Sequence, residues 1–513
     1  MARPIIEAFL VWVNLEILLS LYHYDMNNQQ LYAYRNENSF YKRTCGSCKK
    51  SMISIFHPDS PHTIYCNECW WSDRWDPLSY CCDFDFTRPF FDQFVELSRR
   101  IPVVSLVIGD SENSDYTNYA MWNKNCYMVS SSDYNQDSLY SNYIFRCKDC
   151  CDCIFVSDSE LVYESIDSQR CYSSAFLQNC SSCVDSLFCY DCRNCEKCIG
   201  CVNLRNKKLH IFNQPCTQGQ FDEFRRKVTG NTLSFLGEFN GFKIRFPHKF
   251  AEIDNCVDSY GDNLIGCKNC QNCFDMVESQ DCNNCTLGIK ARNCSDSIGV
   301  PDSELCHQVV GCPGNYDIKS SVLIWPKSSF LEYCLFCRAS SNCFGCVSLH
   351  KNQYCILNKQ YSKDNYEIMK NRIIEHMKRT GEYGKFFPIS ISPFAYNETA
   401  AQDYFPLKKE EALSFGYRWV DPDNRAEMIK ELPVCTVCGK NYRLISQEFA
   451  LYKKINLSVP LACPECRRKR RMSVRNPRAL WDRNCMRCGD YIKSSFGPDR
   501  SEIVYCEKCY LEK

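Results

Sequence analysis

The chain has 513 residues, 42 of them cysteine, and its 61 Lys and Arg balance 61 Asp and Glu for a formal net charge of zero. A hydrophobic content of 45% with 14% aromatic residues excludes a wholly disordered chain, and this length leaves room for several domains with cores of their own. Cysteine at this density in a small secreted protein implies a disulfide framework, but here the thiols recur as C-x-x-C, a spacing that suits one metal ion and a reducing, cytoplasmic setting.

In chain order, residues 1–30 form a hydrophobic leader. Glu7, Asn14 and Glu16 interrupt its apolar stretch, and a carboxylate at the centre of a bilayer costs about 2.5–3.5 kcal/mol, which argues against a membrane span. The leader lacks the basic start and small-residue cleavage site of a signal peptide. It is expected to be a diverged or truncated ribbon, its apolar stretch a buried or partner-facing helix rather than a membrane anchor.

Residues 31–75 hold the first zinc ribbon, CGSCKKSMISIFHPDSPHTIYCNEC, with Cys45, Cys48, Cys66 and Cys69 as ligands. A constant shift of 440 carries it onto CMRCGDYIKSSFGPDRSEIVYCEKC near the other end, with Cys485, Cys488, Cys506 and Cys509. The shift also pairs Arg35-Asn36 with Arg475-Asn476, Arg43 with Arg483 and Phe56 with Phe496, so the module is duplicated. Residues 76–115 form an aromatic linking region.

Residues 116–230 and 231–388 read as two related cysteine-rich units. CIGCVNLRNKKLHIFNQ from Cys198 matches CFGCVSLHKNQYCILNKQ from Cys343 at a shift of 145. Each match runs into a closing helix: Thr217 and Gln220 make a capping box before Phe221, Phe224 and Val228, and Ser362 caps a helix bearing Tyr366, Met369, Ile373 and Met377. Cysteine recurs every third residue at Cys147, Cys150 and Cys153, and again from Cys189 to Cys201, and Asn precedes Cys nine times between 125 and 343. That pattern predicts a tight β-solenoid with cysteine stacked inside and Asn at the corners, in coils of about 17–18 residues. Additional zinc in this region is a second reading. Iron–sulfur clusters are a third, although the ferredoxin run C-x₂-C-x₂-C-x₃-C-P is missing.

Residues 389–430 read as a helical linker with a helix over 407–413 stopped near Gly416. Residues 431–472 hold the second ribbon, with Cys435, Cys438, Cys463 and Cys466, and residues 473–513 the third. Four thiolates from two knuckles satisfy tetrahedral zinc and leave no position open for a substrate, so about three structural ions are expected. Residues 435–488 carry thirteen Lys and Arg against Glu448, Glu465 and Asp482. Within this basic stretch Arg467, Arg468, Lys469, Arg470, Arg471, Arg475, Arg478 and Arg483, with Trp481 to stack on a base, are the candidate nucleic-acid contacts. A solvated basic linker between two ribbons is the plainer reading of the same residues.

The stretches YCNECWWSDRWDPLSY, FDFTRPFFDQF, CVNLRNKK, ILNKQYSK, SPFAYNETAAQDYFPL and CPECRRKRRMSVRNPRALWDRNCMRCG resemble a family of cysteine-rich multi-zinc-ribbon proteins of small-genome bacteria, over about residues 31–513. The resemblance implies zinc ribbons flanking a repetitive core and brings no activity with it. Members begin with an extra ribbon, from which residues 1–26 depart.

The fold expected is therefore mainly β with some helix, zinc ribbons flanking a duplicated cysteine-rich β-solenoid. The eight histidines are scattered and no phosphate loop is present, so a non-enzymatic scaffold is expected. Its basic carboxy-terminal ribbon pair would bind RNA or DNA. The alternatives are a protein-interaction scaffold working through the solenoid surface and a thiol-redox or iron–sulfur electron carrier. No small-molecule substrate is indicated.

Overall fold

The computed structural model describes residues 28–421 and 432–512, so residues 1–27 of the leader and part of the helical linker lie outside the described residues. The chain divides into two compact units, each drawn from distant parts of the sequence: Met1–Ser105 with Ile253–Asp421, and Leu106–Glu252 with Pro422–Lys513. Each unit contains one β-solenoid. No described helix is long and apolar enough to cross a membrane.

The coil is shorter than the sequence suggested. Asn142 pairs in parallel with Ile154, and Ile154 with Ile166, so one turn takes twelve residues rather than 17–18. Every third residue turns the corner in the left-handed region: Met128, Ser131, Tyr134 and Asp137 have φ of 54°, 54°, 61° and 51°. A coil is thus four sides of three residues. L-residues resist this conformation by roughly 1–2 kcal/mol each, and Asn and Asp resist it least. The residue after each corner points inward. Asn125, Asn179 and Asn194 occupy corners, and Cys126, Cys180 and Cys195 behind them are buried, which explains the Asn-Cys pairs.

The interior is a column of small side chains in polar register. The Cys180 Sγ lies 3.4 Å from the carbonyls of both Gln178 and Cys189. The Cys180 amide donates to Ser168 Oγ at 3.1 Å, one coil back. Cysteine suits this position because it is nearly as small as serine yet apolar enough to stack. In one solenoid the column runs through Cys147, Cys150, Cys153, Cys183, Cys192 and Cys198; in the other it runs through Cys267, Cys285, Cys306, Cys334 and Cys346.

The two solenoids share an irregularity. Tyr116 pairs with Tyr127 and Thr117 with Val129; correspondingly Tyr260 pairs with Gln271 and Gly261 with Cys273, a shift of 144. A side chain at Gly261 would place its Cβ 1.8 Å from the Cys273 carbonyl oxygen, so the backbone takes up glycine there in a way that its counterpart Thr117 does not need. One longer coil, where Tyr316 pairs with Ser329, adds the residue that makes the later shift 145.

Each solenoid ends in a hairpin and a helix, as the caps predicted. In the second unit Lys208–Ile211 folds back on Gln214–Pro215, and helix Gln218–Gly230 follows with its Thr217–Gln220 capping box formed. In the first unit Gln353–Ile356 folds back on Lys359–Gln360, and helix Lys363–Thr380 ends at Gly381 with φ 72°. A second helix packs on each solenoid. Phe90 of helix Phe90–Arg100 lies 5.4 Å from Tyr333, while Phe235 of helix Thr232–Lys243 lies 4.8 Å from Phe188. Phe90 and Phe235 are 145 apart, as are Phe188 and Tyr333, so the two packings are equivalent. The linker's helix forms at Lys409–Ser414 and stops before Gly416, φ 85°.

Candidate metal centres

Each ribbon starts from a sharp knuckle. In the first, hairpin Tyr41–Thr44 with Ser51–Ser54 carries Cys45, and Lys49 closes the turn on the Cys45 carbonyl at 3.1 Å. Lys49 adopts φ 62° where Gly439 and Gly489 take 71° and 83° in the other ribbons. The second knuckle opens a helix every time: Asn67–Trp71, Pro464–Val474 and Glu507–Leu511 begin immediately after Cys66, Cys463 and Cys506. Helix amino-terminal N–H groups favour negative charge, here thiolate.

The four sulfurs of each ribbon lie within 4.8 Å of one another. The Sγ–Sγ separations are 3.8 Å for Cys48–Cys66, 3.8 Å for Cys438–Cys463 and 3.7 Å for Cys488–Cys506. A tetrahedron with metal–sulfur bonds of about 2.3 Å has edges of about 3.8 Å, so the donor set fits an ion. Backbone amides complete the setting. Cys66, Cys463 and Cys506 donate to the sulfurs of Cys45, Cys435 and Cys485 at 3.3, 3.2 and 3.3 Å. Burial alone would push these three thiols up, but such N–H bonds hold each at about 6. Among the described residues, no group of inward solenoid cysteines draws together in this way.

The outer ribbons are held to their units alike. Strand Ile64–Tyr65 pairs in parallel with Val103–Val104 in the first unit, and Ile503–Tyr505 pairs with Pro247–Lys249 in the second. Trp70, next to ligand Cys69, packs 4.5 Å from His350 of its solenoid. Tyr510, its counterpart next to Cys509, hydrogen-bonds Asp191 and Asn203 of the other.

The basic run lies on helix Pro464–Val474, and its arginines turn inward. Arg467 donates from Nε to Asp152 at 2.7 Å and from Nη2 to Glu448 at 3.1 Å, all three side chains being 0% exposed. Arg471 Nη1 lies 2.8 Å from Asp152 and 3.2 Å from Glu164. Arg470 reaches Glu164 at 2.6 Å, and Arg475 binds Asp167 at 3.0 Å with its guanidinium 4.0 Å from the Phe155 ring. Asp152 and Glu164 are corner residues one coil apart, spaced about 4.8 Å along the stack, close to the roughly 6 Å between helix positions i and i+4. A helical arginine ladder therefore meets an acidic corner ladder.

The other candidate nucleic-acid contacts fare variously. Arg478 is buried beside Phe155, and Arg483 donates to the Gly497 carbonyl at 3.0 Å. Trp481 begins a ribbon strand, Trp481–Asn484, and its ring covers Gly497. Arg468 pairs with Glu465 at 2.9 Å, and Lys469 is 70% exposed. Of the candidate nucleic-acid contacts, Arg467 and Arg471 already have carboxylate partners in a site closed to solvent. Asp152 and Glu164 are one twelve-residue coil apart and Asp167 is the corner next to Glu164, a relation that no sequence motif marks.

No protein-family model matches this chain, and no curated protein sequence matches it.

Proposed function

We propose that this protein is a zinc-stabilised, non-enzymatic scaffold in which closed metal centres fasten ribbons to cysteine-lined solenoids. The observation that carries this reading is the Cys₄ geometry, repeated three times with sulfur edges of 3.7–3.8 Å. Four thiolates favour zinc among common divalent ions, and with every position taken by sulfur none remains for a substrate. The working surface is the outer face of the coils, where Trp122 and Tyr134 stack at 4.7 Å and 8° while 45% and 55% exposed. A protein partner suits that surface better than RNA or DNA suits helix Pro464–Val474, whose arginines are engaged internally. The test is co-purification from nuclease-treated extract. Partners retained by the native chain and lost from Trp122→Ala/Tyr134→Ala support the scaffold, and retention that depends on nucleic acid overturns this choice of surface.

A further inference from the structure

Helix Lys363–Thr380, which follows the hairpin at the end of the first unit's solenoid, buries one face and leaves the other in solvent. Tyr366, Ile373, His376 and Met377 are buried, and His376 Nε2 donates to the Arg88 carbonyl at 2.9 Å. The Phe84 and Phe86 rings stand edge-on to the same imidazole, at 5.5 and 5.9 Å. Residues 84–88 are therefore fastened along the helix. A groove of about 440 Å³ opens there, lined by Phe86, Asn371, Arg372, Glu375 and Arg379.

Two cations without partners mark this groove. The Arg372 guanidinium lies 4.6 Å from the Phe86 ring centroid, and Arg379 stands in the last turn of the helix. Both are exposed, and among the described residues neither meets a carboxylate. The one acid lining the groove, Glu375, is bound to Lys378 at 2.7 Å. Arg372, Glu375 and Arg379 follow at i, i+3 and i+7, which puts them on one helical face. At 1.5 Å per residue, the two arginine positions are about 10.5 Å apart along the axis, with Glu375 between them. Ile368, one turn before Arg372 on that face, is 60% exposed.

We propose that this groove binds an extended acidic peptide segment whose carboxylates stand three residues apart. Three residues of extended chain span about 10 Å, which matches the spacing of the two arginines. One carboxylate meets Arg372, which Phe86 holds in place, and the next meets Arg379; the fork of a guanidinium suits a carboxylate. Glu375 repels negative charge midway, so the residues between must be neutral. That disfavours a nucleic-acid strand, which carries a charge at every nucleotide. The groove belongs to the first unit, does not depend on Trp122 and Tyr134, and gives the scaffold a second protein-binding surface.

The test titrates a fluorescent, capped peptide with the core Glu-Ser-Ala-Glu with the full zinc-loaded chain, followed by anisotropy at low ionic strength. A Glu-Glu-Ser-Ala peptide of equal charge and a single-stranded oligothymidylate are compared with it. The first peptide is expected to bind most tightly and to be released by salt. Arg372→Gln and Arg379→Gln, both at exposed positions, should each weaken it by about fivefold or more with zinc content unchanged. Trp122→Ala/Tyr134→Ala should bind the peptide as the native chain does, so failure of that surface and failure of this one are told apart. Absence of binding up to about 1 mM protein overturns the proposal. So do equal binding of the two acidic peptides, arginine variants that bind like the native chain, and tighter binding of the oligothymidylate.

Discussion

Arg467 and Asp152 are 315 residues apart in sequence, and their side chains meet at 2.7 Å with neither exposed to solvent. This pair, with Glu448 on its other side, fixes helix Pro464–Val474 of the second ribbon to a corner of the solenoid in its own unit. A charge so enclosed is stable only while its partners remain, because desolvation is offset by the pairing. Burial raises the Glu448 carboxyl even with Arg467 beside it.

Arg467→Ala should therefore destabilise the second unit by about 3–5 kcal/mol, since it leaves buried Glu448 without its cation and Asp152 with Arg471 alone. Lys469→Ala, at an exposed position of the same helix, should stay within about 0.5 kcal/mol. Urea denaturation of the two variants checks this. Equal effects would mean that the arginine ladder contributes nothing to the fold. Any loss of nucleic-acid binding in Arg467→Ala would have to be judged against that loss of structure.

Metal content gives the second prediction. Elemental analysis of protein purified without oxygen should return about three zinc per chain and no iron. Cys488→Ser should lower the count by about one. Chelation should release the ribbons while leaving the coils' β circular dichroism largely intact, because binding energy at such sites, about 10–16 kcal/mol in small peptides, is folding energy. Zinc well above three would place metal in the solenoid column.

The ribbons were legible because ligand spacing is local, and the shift of 440 doubled the signal. The solenoid was legible as a class, but its period was not: inward positions are shared by Val156, Ser159 and Val162, so the cysteine gap from Cys153 to Cys171 spans one and a half coils. The shift of 145 carries no coil period, because the residues between matching points include the closing hairpin and helices Gln218–Gly230 and Thr232–Lys243 as well as coils. The carboxylate partners of the basic run were hidden for a different reason. Charge density is visible in sequence, whereas Asp152 and Glu164 become its partners only once the coils stack.

Corner residues give the third prediction. Asn194 has φ 52° and its side-chain amide donates to Asn206 one coil on, at 3.1 Å. Asn194→Val should cost about 1–2 kcal/mol or more, since a β-branched residue strongly resists the left-handed region. Asn194→Gly should lose only the amide ladder bond, about 0.5–1.5 kcal/mol, partly recovered by the freer backbone. Thermal unfolding of both variants tests the ranking; the reverse order would contradict the four-cornered coil.

Stability against pH gives the last. Burial, aided by Arg418, Arg99 and Arg43, lowers His62 to about 4, and burial with Arg338 and Lys351 does the same to His350. An unfolded histidine binds its proton near pH 6.5. Between pH 6.5 and 4 the unfolded chain therefore holds more protons than the folded one, and stability must rise with pH across that window. The first unit should be fully stable above pH 6.5 and weaken as pH falls toward 4, by up to about 3 kcal/mol per histidine before solvent screening reduces it. Carboxylates also titrate near the lower end, so the informative quantity is the difference between the native chain and His350→Gln. Denaturation midpoints for the two should converge near pH 4 and separate above pH 6.5, where the native chain gains stability that the variant, with no imidazole to titrate, does not. A constant separation at all pH values would show that His350 is protonated alike in both states.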